Sequence, residues 1–223
     1  MTSTTTPTPS PLSLTDRRKA ETRTAIARAA AGLFVRRGLK ATRAEDIAQA
    51  AGIAPRTFYR YFAAKEEAVA PLYEEGARRW AEAVRAAPAG MSVPEALEAA
   101  VRHTLTPGVG VSAASWEWMR TLIRLAESEP ALRKVWAEVC QASERELADV
   151  LAERVTGRQV PGDFDNVAFA ARLRFAAAVA SAAVRTAVEG WAVGDASGEG
   201  PAELAVANLA ALRGFPWGEL GSA

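Results

Sequence analysis

TRAEDIAQAAGIAPRTFYRYFAAK, residues 42–65, is the stretch that decides the fold of this chain. Its spacing predicts two short helices joined by a sharp turn at Gly52, because glycine tolerates the positive φ that such a turn requires. We expect the first helix to open at Thr42, whose hydroxyl caps it while Glu45 reaches back to the Thr42 backbone. Pro55 suits the first turn of the second helix. The pattern is therefore that of a helix-turn-helix unit.

The two predicted helices share one apolar side. Ile47, Ile53, Phe58 and Phe62 are expected to be buried, and the small Ala48 allows the helices to cross closely. The second helix then exposes Pro55, Arg56, Thr57, Tyr59, Arg60 and Tyr61. An exposed second helix is the layout with which helix-turn-helix proteins read DNA, and free N–H groups at a helix N-terminus also hold phosphate.

The charge of the chain is divided unevenly. The net charge is only +1 over 223 residues, but residues 15–65 carry twelve Lys or Arg against four Asp or Glu. From residue 66 onward the net charge is −7. A basic first quarter is expected where only that part approaches a polyanion, although solvated basic side chains alone would give the same balance. Arg17, Arg18, Lys19 and Arg23 are candidates to reach a DNA backbone.

Several other classes of protein are disfavoured. The sequence has no apolar run near the roughly 20 residues of a membrane-spanning helix, and its Thr-, Ser- and Pro-rich start lacks the pattern of a signal peptide. A cytoplasmic location without membrane contact is expected. The single cysteine, Cys140, and the single histidine, His103, offer little for catalysis or metal binding. We therefore expect no enzyme activity, no cofactor and no metal site.

Turn-forming segments divide the chain into an all-α architecture of two parts. We expect a disordered tail at 1–14, a three-helix DNA-binding domain at 15–64, a larger helical bundle at 65–215 and a C-terminal tail at 216–223. The first helix ends at Gly38, and a long helix from Lys65 to about Ala87 links the two domains. Further helices are predicted over 93–105, 115–127, 131–155, 165–191 and 201–213.

The predicted helix over 165–191 has two apolar stripes, and such a helix must bury both. One contains Phe169, Leu173, Ala177, Ala180, Val184, Val188 and Trp191; the other contains Phe164, Ala168, Ala171, Phe175, Val179 and Ala182. One stripe is expected to face the core and the other a second copy of the chain, with the last helix completing the interface. A helix central to a monomeric core is the alternative. A dimer would present two recognition helices to a palindromic site.

The residues TRAEDIAQAAGIAPRTFYRYFAAKEEAV carry a resemblance to the DNA-binding domain of the TetR family of bacterial transcriptional regulators. Its signature is the opening threonine, the turn glycine, the T-x-Y-x-x-F segment and a lysine three residues later. The resemblance implies phosphate contacts by Thr42, Tyr59 and Lys65, and base or groove contacts by Arg43, Pro55, Arg56, Thr57 and Tyr61. Packing is the alternative role for Thr57, Tyr59 and Tyr61. Ala54 replaces a frequent serine, so the second helix lacks a side-chain cap, and Tyr61 stands where histidine is common.

Over residues 70–215 the resemblance is weaker and implies an all-helical ligand-binding and dimerisation domain. Apolar side chains at helical spacing are candidate ligand contacts, with ordinary core packing as the alternative: Trp116, Trp118, Met119, Leu122, Ile123, Phe175 and Val179. The segment around Arg124 and Arg133 resembles a subgroup that binds acyl-CoA-like ligands, and these arginines are candidates to contact a charged head group.

The sequence thus predicts a ligand-responsive transcriptional regulator. We expect a homodimeric repressor on a palindromic operator in double-stranded DNA, released by a small apolar or acyl-CoA-like effector. The alternatives are a DNA-binding dimer without a small-molecule effector and a helical binding module that does not bind DNA. Release requires an effector that binds better to a dimer whose recognition helices are wrongly spaced for successive major grooves.

Overall fold

The computed structural model describes residues 13–106, 108, 113–157, 167–194, 198–217 and 220. These residues form nine α-helices and one short 3₁₀ helix, and they contain no strand. The helices are α1 (Leu14–Arg37), α2 (Ala44–Ala50), α3 (Pro55–Tyr61), α4 (Ala70–Ala86), α5 (Val93–Leu105), α6 (Ala113–Ser128), α7 (Pro130–Thr156), α8 (Val167–Val193) and α9 (Pro201–Ala211). The predicted all-α class is confirmed. The predicted N-terminal tail lies outside the described residues except for Ser13 and Leu14, which already open α1.

The segment after α3 differs from the single helix expected from Lys65 to about Ala87. Glu66–Val69 forms a 3₁₀ helix, and α4 begins only at Ala70. Pro71 explains the division, because it has no N–H to donate and its ring clashes with the carbonyl four residues earlier in a continuous α-helix. The chain therefore enters α4 through a tighter turn.

The apolar stripe of α1 supports α2 and α3, as its spacing predicts. Ile26, Leu33 and Phe34 of α1 are buried in one core with the side chains of the next two helices. The predicted shared side of α2 and α3 is buried at Ile47, Ala48, Phe58 and Phe62, while Ile53 is half-buried. Burying Phe58 leaves the opposite face of α3 accessible.

The start of α2 differs from the prediction. The helix begins at Ala44, one residue later than the capping box of Thr42 and Glu45 would require, so that prediction is wrong. The Asp46 carboxylate instead accepts a hydrogen bond from the Arg43 N–H at 2.9 Å. Thr42 is fully buried under the turn, which removes its hydroxyl from the helix end.

The start of α3 has the predicted turn and the predicted missing cap. Gly52 adopts a φ of 68°, the left-handed conformation that favours glycine. Pro55 occupies the first position of α3, and Ala54 precedes it with no side-chain hydrogen bond to the helix. The N–H groups of Thr57 and Phe58 both bond to the Ala54 carbonyl, at 2.8 and 3.3 Å.

α8 is central to the larger bundle and packs against α6, α7 and α9. Most of the first predicted stripe is buried, with Leu173, Ala177 and Ala180 fully so. Phe164 of the second stripe lies outside the described residues; the rest of that stripe is exposed or half-buried, and Phe175 is 62% exposed. α8 is also long and apolar enough to span a membrane, contrary to expectation from the sequence. The mean hydropathy of an 18-residue window within it is 1.6. Its packing among three helices accounts for this composition, since core helices are similarly apolar.

Two described residues of the segment expected as a C-terminal tail, 216–223, pack into the protein. Trp217 and Leu220 are both buried. The Trp217 ring lies 4.4 Å from that of Phe215, between centroids, and its Nε1–H donates to the Leu212 carbonyl at 3.0 Å. The segment after α9 therefore belongs to the core.

Restoring a side-chain cap to α3 is expected to stabilise the protein. In Ala54→Ser, the new hydroxyl would accept a hydrogen bond from the Thr57 N–H, raising the free energy of unfolding by about 1 kcal/mol in urea denaturation. Ala41→Ser, an exposed change that caps no helix, serves as the control. Equal stability of the two variants would contradict the capping assignment.

Candidate nucleic-acid interface and internal cavity

Six of the eight candidate DNA contacts keep accessible side chains. Arg43 lies at the start of α2, and the other five lie on α3, whose opposite side holds the buried Phe58. Thr57 and Tyr61 are half-buried, whereas Arg43, Pro55, Arg56 and Tyr59 are exposed. The accessible face of α3 thus combines a guanidinium group, hydroxyl groups and aromatic rings, which suit contacts with base edges and phosphates.

The two tyrosines of α3 differ in how strongly the protein holds them. Tyr59 is 53% exposed and meets the Phe58 ring edge-on, with centroids 5.4 Å apart. Tyr61 is half-buried and packs against the core, and the Arg60 guanidinium lies over its ring at 5.5 Å. Tyr61 therefore serves packing as well as lining the surface, whereas the Tyr59 hydroxyl is the more accessible of the two.

A shallow groove joins the start of α1 to the end of α3. Its lining residues are Thr15, Arg18, Lys19, Thr22, Arg60 and Tyr61. Three positive charges therefore border one concave surface next to the exposed face of α3. Arg23, another candidate, points elsewhere: its two terminal nitrogens donate to the Glu74 carboxylate at 3.0 and 3.2 Å.

Thr42 and Lys65 have structural partners in place of the predicted phosphate contacts. The Thr42 hydroxyl donates to the Gly38 carbonyl at 2.8 Å. The Lys65 ammonium donates to the carbonyl oxygens of Leu39 and Thr42, both at 2.8 Å. These bonds take two of the three N–H donors of Lys65 and fix the turn between α1 and α2.

A cavity of about 550 Å³ lies inside the larger bundle. Trp116, Met119, Leu122 and Ile123 of α6 line it, as predicted, and so does Trp118. Phe175 and Val179 do not line it: they lie on the accessible stripe of α8, where the Phe175 ring contacts Phe215 with centroids 5.6 Å apart. Other lining residues were missed by sequence reasoning, among them Arg28, Tyr73, Trp80, Trp136, Cys140, Ser181, Val184 and Arg185.

Several polar side chains at the cavity form hydrogen bonds or ion pairs within the protein. Glu75 accepts hydrogen bonds from Arg78 and Arg79; burial alone raises the pKa of Glu75, but these bonds outweigh it and lower the pKa. Arg185 forms an ion pair with Glu189 at 3.2 Å. Burial raises the pKa of the Cys140 thiol to about 12, so that thiol stays neutral at neutral pH.

Arg124 and Arg133, the candidates for a charged head group, do not line the cavity. Arg124 donates twice to the Ala192 carbonyl near the end of α8, at 3.1 and 3.0 Å. Arg133 donates to the Glu127 carbonyl. Their positive charges are therefore placed at carbonyl groups near helix ends, where cations are favoured.

Residues 26–70 match the family of bacterial regulatory proteins known as the tetR family. The HTH-type transcriptional regulator TcmR of Streptomyces glaucescens is 30% identical over 180 residues, which cover 80% of this chain and 76% of that protein. The chain belongs to the TetR family. It is accordingly a DNA-binding transcriptional regulator and not an enzyme.

Solved TetR-family structures show the same fold. The repressor FadR of Thermus thermophilus, solved with lauroyl-CoA, is 23% identical, with a TM-score of 0.51 over 85% of this chain and 92% of that one. The repressor AlkX from a Dietzia strain is 20% identical, with a TM-score of 0.56 over 88% of this chain and 97% of that one. The shared fold thus extends well beyond the DNA-binding segment.

Removing the Lys65 ammonium is expected to destabilise the protein. Lys65→Ala removes two charge-assisted hydrogen bonds, although the Leu39 carbonyl keeps a 3.3 Å bond from the Thr42 N–H. This loss should lower the free energy of unfolding by roughly 2 kcal/mol in urea denaturation. Lys40→Ala removes an exposed lysine from the same turn and should be nearly neutral. If Lys65→Ala kept full stability and lost only salt-dependent DNA affinity, the phosphate-contact interpretation would be restored.

Proposed function

We propose that this TetR-family regulator is a repressor that binds a palindromic operator as a homodimer in the cytoplasm. A small molecule in the internal cavity releases it from DNA. The observation that carries this proposal is the position of Arg28, a residue of α1 that lines the cavity. The helix that supports the DNA-reading unit is thus part of the effector site.

The DNA-reading role rests on α3 and its surroundings. Arg56 is exposed in the first turn of α3, where a guanidinium group can form a bidentate contact with guanine. Arg43, Pro55, Thr57, Tyr59 and Tyr61 are the other proposed base, groove or phosphate contacts. Arg18 and Lys19 extend the positive surface and would supply affinity for any sequence.

The route from cavity to DNA runs through the contact between α6 and α1. A Cβ atom placed on Gly32 would lie only 3.1 Å from Cη2 of Trp118, so the Trp118 ring lies directly against the α1 backbone. Trp118 also lines the cavity. An effector that shifts α6 therefore displaces α1 as well. It can change the affinity for DNA only by as much as its own affinities for the two arrangements of these helices differ.

The cavity supports an apolar effector better than an acyl-CoA-like one. Its walls are largely aromatic and aliphatic, which suits a hydrophobic molecule. Arg124 and Arg133 lie outside the cavity and are bonded to backbone carbonyls, which removes the residues proposed for a charged head group. The lauroyl-CoA complex of the Thermus thermophilus protein is a property of that protein.

The accessible stripe of α8 supports a homodimer. Phe175 is 62% exposed and contacts Phe215, and small alanines flank it at positions 171 and 178. Such a surface permits close approach of a second copy. Since α3 spans only seven residues, two copies related by a twofold axis would be needed to read a long site.

The DNA-reading assignment predicts the behaviour of Arg56→Ala. Site selection from random duplexes should first yield a palindromic operator for the unchanged protein. Loss of the bidentate contact should weaken operator binding by about 10-fold to 100-fold and relax the preference at one position of each half-site. Arg102→Ala, an exposed change in α5, is the control. An unchanged preference at every position would contradict the assignment of Arg56.

The dimer assignment predicts the behaviour of Phe175→Glu. A charge in the centre of the apolar stripe should convert the dimer to a monomer in sedimentation-velocity experiments and abolish high-affinity operator binding. Met91→Glu, which alters a partly exposed side chain between α4 and α5, is the control. A Phe175→Glu protein that stays dimeric would place the interface elsewhere.

A further inference from the structure

Three buried polar atoms on side chains that line the cavity have no hydrogen-bond partner among the described residues. They are the indole Nε1 atoms of Trp80 and Trp116 and the hydroxyl Oγ of Ser181. The three side chains are only 5%, 8% and 7% exposed. They come from α4, α6 and α8, so the three side chains line the same cavity from three helices, while their unpaired atoms are covered in the arrangement described. An unpaired buried polar group costs free energy, and native proteins contain few of them.

Other polar groups at the same cavity do have partners. The Tyr73 hydroxyl donates to the Leu122 carbonyl at 3.2 Å, and the Trp136 Nε1–H donates to the Glu189 carboxylate at 2.6 Å. Trp116 meets the Trp191 ring edge-on, a contact that supplies no acceptor oxygen. The deficit is therefore specific to three groups and does not reflect a generally poorly bonded wall.

The chemistry of these groups defines what would satisfy them. An indole N–H can only donate, and a serine hydroxyl can donate or accept. A suitable ligand must therefore bring acceptor atoms to Trp80 and Trp116. The surrounding walls contain several aromatic rings, which favour contact with a flat apolar body. Glu75 and Arg185 are paired with opposite charges, whereas Arg28 and Glu144 also line the cavity and form no ion pair among the described residues.

We propose that the effector is a flat, largely apolar molecule bearing acceptor oxygens that receive hydrogen bonds from Trp80, Trp116 and Ser181. This inference rests on the proposed function, because it specifies the ligand class of the same cavity. The three atoms are shielded from solvent, so contact with the ligand requires a small displacement of the wall side chains. Binding and rearrangement of α4, α6 and α8 are thereby coupled.

The test compares two probes of the same three-ring shape, 9-fluorenone and fluorene, which differ by one carbonyl oxygen. Cys140 lines the cavity and is the only cysteine of the chain, so its alkylation by iodoacetamide reports occupancy without DNA. Mildly alkaline buffer is needed because burial raises the pKa of the thiol. With the full-length protein, fluorenone should protect Cys140 at about tenfold lower concentration than fluorene, as expected for one added hydrogen bond to an otherwise unpaired donor.

The combined variant Trp80→Phe/Trp116→Phe/Ser181→Ala keeps the apolar wall and removes all three groups. In this variant, both probes should protect Cys140 equally. The single substitutions should show which side chain donates the hydrogen bond to fluorenone. Trp136→Phe is the matched control, since it also lines the cavity but its N–H already has a partner; it should retain the fluorenone preference. Each Trp→Phe change also removes buried apolar area, so circular dichroism and thermal melting first establish that the combined variant and Trp136→Phe are folded.

Equal protection by the two probes, absence of protection by fluorenone, or an unaltered preference in the combined variant would each overturn the inference. Failure of the proposed function gives a different result: the fluorenone preference would persist while no palindromic duplex is bound. If an effector that lacks acceptor oxygens released the protein from its operator, the proposed function would stand and only the inference about the ligand class would be overturned.

Discussion

The close contact of α1 with α6 at Gly32 is the constraint on which the function of this regulator depends. The Trp118 ring occupies the space that a side chain at position 32 would need. Trp118 is 39% exposed, but the end of its ring lies against the buried Gly32, so a shift of α6 at this contact changes the packing on α1. α1 also carries the buried stripe that supports α2 and α3, and its Arg28 reaches the cavity. One helix therefore joins the DNA-reading surface to the effector site.

Local sequence signals predicted most of the helices, but few of the tertiary contacts that their side chains make. The positive φ at Gly52, the proline that opens α3 and the buried Phe58 all follow from residues close in sequence. Lys65 shows the limit, since its partners are backbone carbonyls more than twenty residues away, which no local pattern reveals. A motif can thus place a residue correctly and still leave its role to tertiary contacts.

The sequence indicated that α6 and α8 line the cavity, but not which side of α8 faces it. The residues of α6 have one apolar side, so their spacing grouped Trp116, Met119, Leu122 and Ile123, and all four line the cavity. α8 is apolar on two sides, and composition gave no reason to prefer Ser181 and Val184 over Phe175 and Val179. Bundle packing decides that choice, because α9 and the segment ending in the buried Trp217 lie beside the Phe175 face.

The proposed ligand contacts also predict the direction of the regulatory response. Trp80 and Ser181 carry polar atoms that are shielded in the arrangement described, so a ligand that reaches them binds a displaced arrangement better. Relief of their desolvation cost then adds to the free energy that favours displacement. Because Trp118 lies against α1, displacement of α6 also changes the support of α3. If the arrangement described here is the one that fits DNA, the same binding energy that satisfies the cavity weakens the grip on the operator.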